Sequence, residues 1–344
     1  SNFYQKFNLT EYPFNTFTTE DENLRSDLFV EPVDYSLIKD AFRNSRTIIM
    51  AGNRGTGKTA IVFDLIRNAP SNSFFIYLDD FSSLSETPNI QDFYKLFGEF
   101  LINSLMSKAV ENRKQISKLS KDDKLFLSQL IVNYMTPSTR QNLATKIDKI
   151  QLSLLKRAIN FLSKPIHLAL NYGLSAGVKL INSTFASQFS LPIIETDSVL
   201  SILPEIKFSS DTSFTDIDSS YLLLTRICQL IKRLGYSNVI IFLDKIDEDS
   251  RFTNDGEQIA QFIKPLLTDN KLLLCPDLQF AVSLWSIPFE NLKSSIRTQK
   301  FYCPMLEWHK FDLIRAFNQR IEVYSQPHKA RKFHDFFSSD ITDE

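Results

Sequence analysis

The sequence predicts an α/β protein built on a parallel β-sheet of five strands, with helices packed against it. Five short apolar runs of strand length are spread along the chain, and helical patterns lie between them. This alternation of strands and helices is typical of a parallel sheet, since the connection between parallel strands usually holds a helix. The 344 residues are 43% hydrophobic and 23% charged, which suits one large globular domain or two smaller ones.

The strands follow from their apolar residues in chain order. They are predicted at residues 46–51, 73–79, 239–243, 278–285 and 299–305. Helical spacing of apolar residues follows the first strand in "KTAIVFDLIRN" and the third strand in "EQIAQFIKPLL". The order strand, helix, strand at these places supports the predicted fold class.

A glycine-rich segment joins the first strand to the helix after it. Three of the eight glycines fall in "AGNRGTGKTA", which matches the pattern GxxxxGK[ST]. Glycines let such a loop curl so that backbone N–H groups point at phosphate oxygens, and the helix directs the positive end of its dipole at the same anion. The predicted phosphate-binding residues are Gly52, Asn53, Arg54, Gly55, Thr56, Gly57, Lys58, Thr59 and Ala60.

Two side chains of this segment have predicted roles at a bound nucleotide. The ammonium of Lys58 would contact the β- and γ-phosphates, and the hydroxyl of Thr59 would ligate Mg²⁺. The alternative is a glycine-rich turn that binds nothing. The strand before the segment and the helix after it favour the phosphate-binding function.

An acidic residue ends the third predicted strand, in "YSNVIIFLDKIDEDS". Five apolar residues run directly into Asp244, which would hold Mg²⁺ through water beside the phosphates. The string "FLDKID" also differs by one letter from NKxD, the element with which GTPases recognise guanine. A GTPase needs a DxxG element as well, and no glycine of this chain follows an aspartate at that spacing. The sequence therefore favours an ATPase.

The two motifs together resemble those of P-loop ATPases of the AAA+, STAND and KAP division. In that division an extra strand lies between the phosphate-loop strand and the acidic strand. The string "IIFLDKIDE" is similar to the DRhDE variant of a poorly characterised bacterial group, whose phosphate loop has RGxGK and follows an NPF-like segment; here that segment is "YPF". The resemblance covers residues 12–324. It implies ATP and Mg²⁺ as ligands, ATP hydrolysis, and a nucleotide-driven switch in bacterial stress response or phage defence.

One position departs from this division. The residue after the Mg²⁺-binding acid is there a glutamate that polarises the attacking water, whereas this chain has Lys245. Asp247 and Glu248 are the candidate catalytic substitutes, since a turn after the strand could bring one of them to the water. In the alternative, both acids face solvent or cap a helix, and the protein is a nucleotide-binding scaffold. A phosphotransferase is less favoured, because the chain shows no arginine-rich lid.

Further candidates come from the resemblance alone. Polar sensors of the γ-phosphate are expected on the fourth strand at Ser283 or Ser286, next to Trp285, where the group often has arginine. Candidates for an arginine finger, acting in the same subunit or a neighbouring one, are Arg297, Arg315 and Arg320. An apolar residue that packs on adenine is expected at Phe29 or Val30.

The spacing of the motifs predicts a core with an insertion. Lys58 and Asp244 lie farther apart than a bare core requires, and the excess begins with an apolar stripe at helical spacing. The stripe consists of Phe93, Leu96, Phe97, Phe100, Leu101 and Leu105. The predicted parts are residues 1–80 and 205–305 as the two halves of the core, 81–204 as a helical insertion, and 306–344 as the start of a helical lid.

Charge and composition bear on partners and compartment. With 39 basic and 40 acidic residues, the net charge of −1 gives no support to non-specific nucleic-acid binding. The first residues show no signal-peptide pattern, and no run is predicted to span a bilayer. Its three cysteines form no CxxC pair, which fits a reducing compartment. We therefore expect a cytoplasmic protein without a membrane span, with a protein partner or a second copy of itself as its binding partner.

Overall fold

The structure is a computed structural model, and it describes a defined part of the chain. The described residues are 3–16, 19, 25–107, 113–120 and 217–325, with Asp122, Asp123, Phe126, Leu127 and Leu130. Most of the predicted insertion lies outside these residues, as does the end of the predicted lid, residues 326–344.

Five parallel strands form one sheet, which confirms the predicted α/β class and strand number. They are β1 Ile48–Gly52, β2 Ser73–Leu78, β3 Asn238–Leu243, β4 Gln279–Trp285 and β5 Met305–Leu306. Their order across the sheet is β2-β3-β4-β1-β5, and every pair is parallel. β4 thus lies between β1 and β3.

Helices cover both faces of the sheet. The helices of the described residues are α1 Arg25–Leu28, α2 Tyr35–Arg43, α3 Lys58–Arg67, α4 Ile90–Ser107, α5 Arg113–Lys118, α6 Ile217–Arg233, α7 Gly256–Leu267, α8 Asn270–Leu273, α9 Ser286–Leu292 and α10 Lys310–Val323. Short 3-10 helices lie at Phe3–Phe7, Ile246–Glu248, Ser250–Phe252 and Thr298–Lys300. No helix in this part of the chain has the length and apolar character needed to cross a membrane.

The fifth strand differs most from its prediction. The sequence predicts a strand over residues 299–305, but a 3-10 helix occupies its start and Tyr302 makes only an isolated parallel bridge to Ile48. The strand itself is limited to Met305–Leu306. Pro304 is the physical reason, because it has no N–H to continue the ladder, although its carbonyl accepts from Ala51 N at 3.0 Å.

The core is divided by the sheet into two apolar layers. α4, α6 and α7 cover one face, where aromatic rings pack edge to face or tilted, as Phe97 does with Phe280 at 5.4 Å between ring centroids. α2 and α3 cover the other face, around Tyr35 and Val62. Since both faces are covered, all five residues of β1 are buried, which explains its continuous apolar run.

The apolar stripe of α4 is confirmed with one exception. Phe93, Leu96, Phe97, Leu101 and Leu105 are buried, whereas Phe100 is 40% exposed. The prediction was wrong at Phe100 because an i, i+3, i+4 pattern admits more positions than the sheet and α6 cover.

We expect Phe280→Ala to lower the free energy of unfolding by about 3–5 kcal/mol, since it leaves a cavity beneath Phe97. Phe100→Ala is the matched control and should cost less than about 1 kcal/mol, because this ring is half in solvent. Urea unfolding of both variants at equal m-value measures the difference. Similar losses in the two variants would contradict the described packing of α4.

The first described residues pack on α10. Thr10 N donates to the carbonyl of Tyr324 at 2.8 Å, and Arg320 donates to the carbonyl of Pro13. The ring of Phe14 contacts Phe317, with 5.7 Å between the centroids. Residues 3–16 and α10 therefore form one packed unit at the end of the core.

Candidate functional site

Both predicted motifs lie at the carboxyl edge of the sheet. The glycine-rich loop, which we define as residues 53–57, follows β1, and the acidic segment, residues 244–248, follows β3. β4 pairs with both strands, with Gly52 opposite Trp285 and Leu243 opposite Val282. The fold thus brings together two motifs that are far apart in the sequence, and it does so at the edge where parallel α/β sheets bind ligands.

The backbone of the glycine-rich loop requires glycine at both ends. A Cβ on Gly52 would lie 2.7 Å from Thr56 Oγ1 and 3.1 Å from the backbone oxygen of Leu306. Gly57 has φ of +80° directly before α3, a left-handed conformation that other residues rarely adopt. Between them, Thr56 Oγ1 donates to the carbonyl of Asn53 at 2.8 Å and closes the turn. The exposed residues of the loop are Asn53, Arg54 and Gly55.

Lys58 is buried at the first position of α3. Its Nζ donates to the carbonyls of Gly52 at 3.0 Å and Asn53 at 2.9 Å, so the ammonium lies inside the curve of the chain. Burial lowers the pKa of Lys58, and the nearby carboxylates of Asp247 and Asp244 oppose that shift. Thr59 and Ala60, the other predicted ligands on α3, are half-buried.

Asp244 is held rigidly at the end of β3, where only 1% of its surface is exposed. Its carboxylate accepts from the hydroxyl of Tyr77 at 3.2 Å and from the hydroxyl of Ser283. Its backbone N–H donates to the carbonyl of Leu78 at 2.9 Å. Side chains of the two neighbouring strands therefore orient this carboxylate.

The two candidate sensors on and after β4 contact different motifs. Ser283 is fully buried and bonds to Asp244, so it orients that acid. The hydroxyl of Ser286 donates to Asn53 Oδ1 at 2.6 Å and thereby anchors the glycine-rich loop to the start of α9.

A direct ion pair joins the glycine-rich loop to the acidic segment. Arg54 Nε donates to Asp247 Oδ2 at 3.1 Å, and Arg54 Nη2 donates to the Asp247 carbonyl at 2.8 Å. The guanidinium also lies 4.7 Å from the ring centroid of Trp285. Asp247 is buried and Glu248 is exposed. Lys245, with φ of +57°, turns the chain into the short helix that carries both acids.

Sequence reasoning missed Trp308 and Tyr77. Trp308 Nε1 donates to the carbonyl of Thr56 at 2.9 Å, so the residues before α10 contact the glycine-rich loop. No local pattern marks this contact. Tyr77 could have been found by aligning the predicted β2 with β3, because it lies one residue before the end of the strand beside Asp244.

Two of the three arginine-finger candidates lie on α10 and contact residues outside the glycine-rich loop. Arg315 pairs with Asp312 at 3.4 Å, and Arg320 bonds to Pro13. Arg297 is exposed after α9. Of the candidate adenine contacts, Val30 is half-buried, and Phe29 packs on Tyr35 with 5.3 Å between the ring centroids.

The oxygen donors of the site fit a magnesium ion that also binds phosphate. Within the described residues no group of three or more His, Cys, Asp and Glu side chains could hold a metal by itself. Thr59 and Asp244 offer one hydroxyl and one carboxylate, and Mg²⁺ typically takes one or two such ligands, substrate phosphates and several waters. The donor set therefore suits Mg²⁺ that arrives with a nucleotide.

No protein-family model matches this chain, and no curated protein or solved structure matches it either.

Proposed function

We propose that this protein is a P-loop ATPase of the AAA+/STAND/KAP-like division, which binds ATP with Mg²⁺ and uses it to switch conformation. The observation that supports this most is the bond between Arg54 and Asp247, because it joins the glycine-rich loop to the acidic segment. Lys58 and Asp244 then belong to one site. A phosphate chain and its metal need a cation and a carboxylate placed in this way.

The phosphates bind at the N-terminus of α3. Backbone N–H groups at a helix start attract anions, and the left-handed turn at Gly57 leads directly into that helix. Lys58 exchanges its carbonyl acceptors at Gly52 and Asn53 for phosphate oxygens. The exchange is favourable because charge-assisted hydrogen bonds are stronger than bonds to neutral carbonyls.

Thr59 and Asp244 would hold Mg²⁺, which would neutralise charge on the phosphates. Asp244 is already fixed by Tyr77 and Ser283, so little reorganisation is needed when the metal binds.

Hydrolysis requires a carboxylate that positions the water. The water oxygen bonds to the γ-phosphorus, its proton passes to the carboxylate, and the bond from that phosphorus to the ADP oxygen breaks, which yields ADP and phosphate. Asp247 is the favoured acid, because it lies at the loop while Glu248 is exposed. Turnover is slow, since Lys245 replaces the glutamate that this division uses.

A nucleotide-binding scaffold without hydrolysis is the second candidate. It is favoured by the same ion pair, because the carboxylate of Asp247 is engaged by Arg54. Phosphate release at saturating MgATP separates the two functions, since only the ATPase gives turnover.

Two contacts connect the glycine-rich loop to parts of the protein outside the site. Trp308 bonds to Thr56, and the helix that follows it packs against residues 3–16. Any change in the glycine-rich loop therefore acts on the start of the lid. A protein partner or a second copy of the chain would bind differently to the two conformations. We propose that the switch acts in bacterial stress response or phage defence.

Calorimetric titration tests the proposed function. We expect MgATP to bind one to one, with a dissociation constant between about 1 µM and 1 mM. Removal of Mg²⁺ with EDTA should weaken binding by at least about tenfold, because phosphate charge is then left unneutralised. MgGTP is the control ligand and should bind more weakly. Absence of saturable heat with MgATP would refute the proposal, and phosphate transfer to another molecule would favour a phosphotransferase.

A further inference from the structure

Arg54 has a set of contacts that phosphate binding alone does not explain. Its guanidinium donates to both the carboxylate and the backbone carbonyl of Asp247, and one face lies over Trp285. The side chain of Arg54 is 42% exposed, while that of Asp247 is only 6% exposed. A solvent-exposed cation is therefore bound to a buried anion.

Both cations of this region face the same acid. Arg54 bonds to Asp247, and Asp247 is the carboxylate that most strongly opposes the lowering of the Lys58 pKa. The two cations that act on this buried carboxylate would also attract the charge of a phosphate chain. An incoming triphosphate competes with Asp247 for the guanidinium, and it presents several oxygens in the geometry that arginine binds in pairs.

The position of Arg54 relative to Lys58 determines which phosphate of a bound nucleotide its guanidinium would contact. Lys58 lies at the start of α3, whereas Arg54 lies on the side of the loop that faces the acidic segment. The terminal phosphate of a bound triphosphate would extend toward that segment, where Asp244 would hold the metal. A diphosphate ends before it.

We propose that Arg54 is a positioning residue that distinguishes nucleoside triphosphates from diphosphates at this site. Without a γ-phosphate it holds Asp247; with one, the guanidinium moves to the phosphate oxygens and releases the Asp247 carboxylate to the attacking water. This inference rests on the proposed function. The exchange is feasible because the Arg54 side chain is 42% exposed, and because Lys58 still acts on Asp247 when the guanidinium leaves.

The fluorescence of a tryptophan in the chain can report the movement of Arg54. Trp285 and Trp308 are the two tryptophans of the chain, and only Trp285 lies under Arg54. Trp308→Phe therefore leaves a single fluorophore whose ring face is covered by the guanidinium. Departure of Arg54 from that face changes the emission of Trp285.

The experiment titrates the Trp308→Phe protein with MgADP and with the magnesium complex of adenylyl imidodiphosphate, a triphosphate analogue that is not hydrolysed. Calorimetry on the same samples measures binding. We expect both ligands to bind, but only the triphosphate analogue to change Trp285 emission. Adding Arg54→Ala should abolish that change and lower the affinity for the analogue to that for MgADP, with the MgADP affinity altered less than about threefold.

Two further variants sharpen the test. Arg54→Lys keeps the charge but loses the planar fork, so it should not restore the emission change. Arg43→Ala, which removes an exposed arginine from the last turn of α2, should leave it intact. Equal emission changes with both ligands, or a triphosphate-specific change that survives Arg54→Ala, would overturn the role of Arg54 while the proposed function stands. Failure of both ligands to bind the wild-type protein, with Trp308 and its bond to Thr56 intact, would overturn both proposals.

Discussion

Lys58→Ala is expected to abolish measurable binding of MgATP. The ammonium lies inside the curve of the glycine-rich loop and has two neutral carbonyls as partners, which phosphate oxygens replace. Loss of two charge-assisted hydrogen bonds costs about 4 kcal/mol, or roughly a 1,000-fold loss of affinity. Calorimetric titration of the variant beside the wild type measures this loss.

Lys264→Ala is the matched control for this prediction. Lys264 is exposed on α7, so its removal should leave the affinity for MgATP unchanged. Equal affinities of wild type and Lys58→Ala would show that the glycine-rich loop does not bind the nucleotide.

The Lys58 variant should also remain folded. Burial lowers the pKa of Lys58 in the folded protein, which means that folding disfavours its charged form. The unfolded chain therefore binds more protons between the folded and the unfolded pKa. The stability of the wild type relative to Lys58→Ala should rise with pH across that window and stay level below it. Thermal unfolding of both proteins over a pH series checks the sign.

Asp244→Asn is expected to lower the rate of ATP hydrolysis by on the order of 100-fold or more, the effect of removing one preorganised electrostatic group. The amide oxygen of the asparagine still accepts from one of the two hydroxyls of Tyr77 and Ser283, and its NH2 donates to the oxygen of the other, so the shape is kept while the negative charge that faces Mg²⁺ is lost. Phosphate release at saturating MgATP measures the rate. Nucleotide binding should persist, because Lys58 and the glycine-rich loop are intact.

Asp277→Asn serves as the control for the change of charge. Asp277 pairs with Lys232 at 3.0 Å and precedes β4, at the opposite edge of the sheet. Its substitution should leave the rate of hydrolysis within about twofold. If Asp244→Asn hydrolysed ATP at the wild-type rate, Asp244 would not belong to the site of hydrolysis.

The parts of the fold that local chemistry determines could be predicted from the sequence. A short stretch of sequence encodes the strand that ends at Gly52, the turn at Gly57 and the helix that begins at Lys58. The structure has these elements in that order. The same holds for β3, whose apolar residues end at Asp244. In both cases burial and backbone geometry restrict which residues are tolerated.

The remaining features depend on contacts between distant residues. The placement of β4 beside both β1 and β3 determines that Ser283 reaches Asp244, and a strand taken alone does not show which neighbour its hydroxyl meets. The contact of Trp308 with Thr56 likewise arises only when the chain before α10 returns to the glycine-rich loop. Arg54 could be assigned to the loop from the motif, but its bond to Asp247 could not.

The order of the strands has a consequence for how the protein is made. β1 and β2 belong to the first part of the chain, yet they are not neighbours: β1 pairs with β4 and β5, and β2 pairs with β3. A nascent polypeptide that ends before β3 therefore has two exposed apolar strands and no partner for either. β2 can pair once β3 has been synthesised, but β1 has no partner until β4 follows, so the sheet is completed late and by long-range pairing. Unpaired apolar strands of this kind favour aggregation of the growing chain.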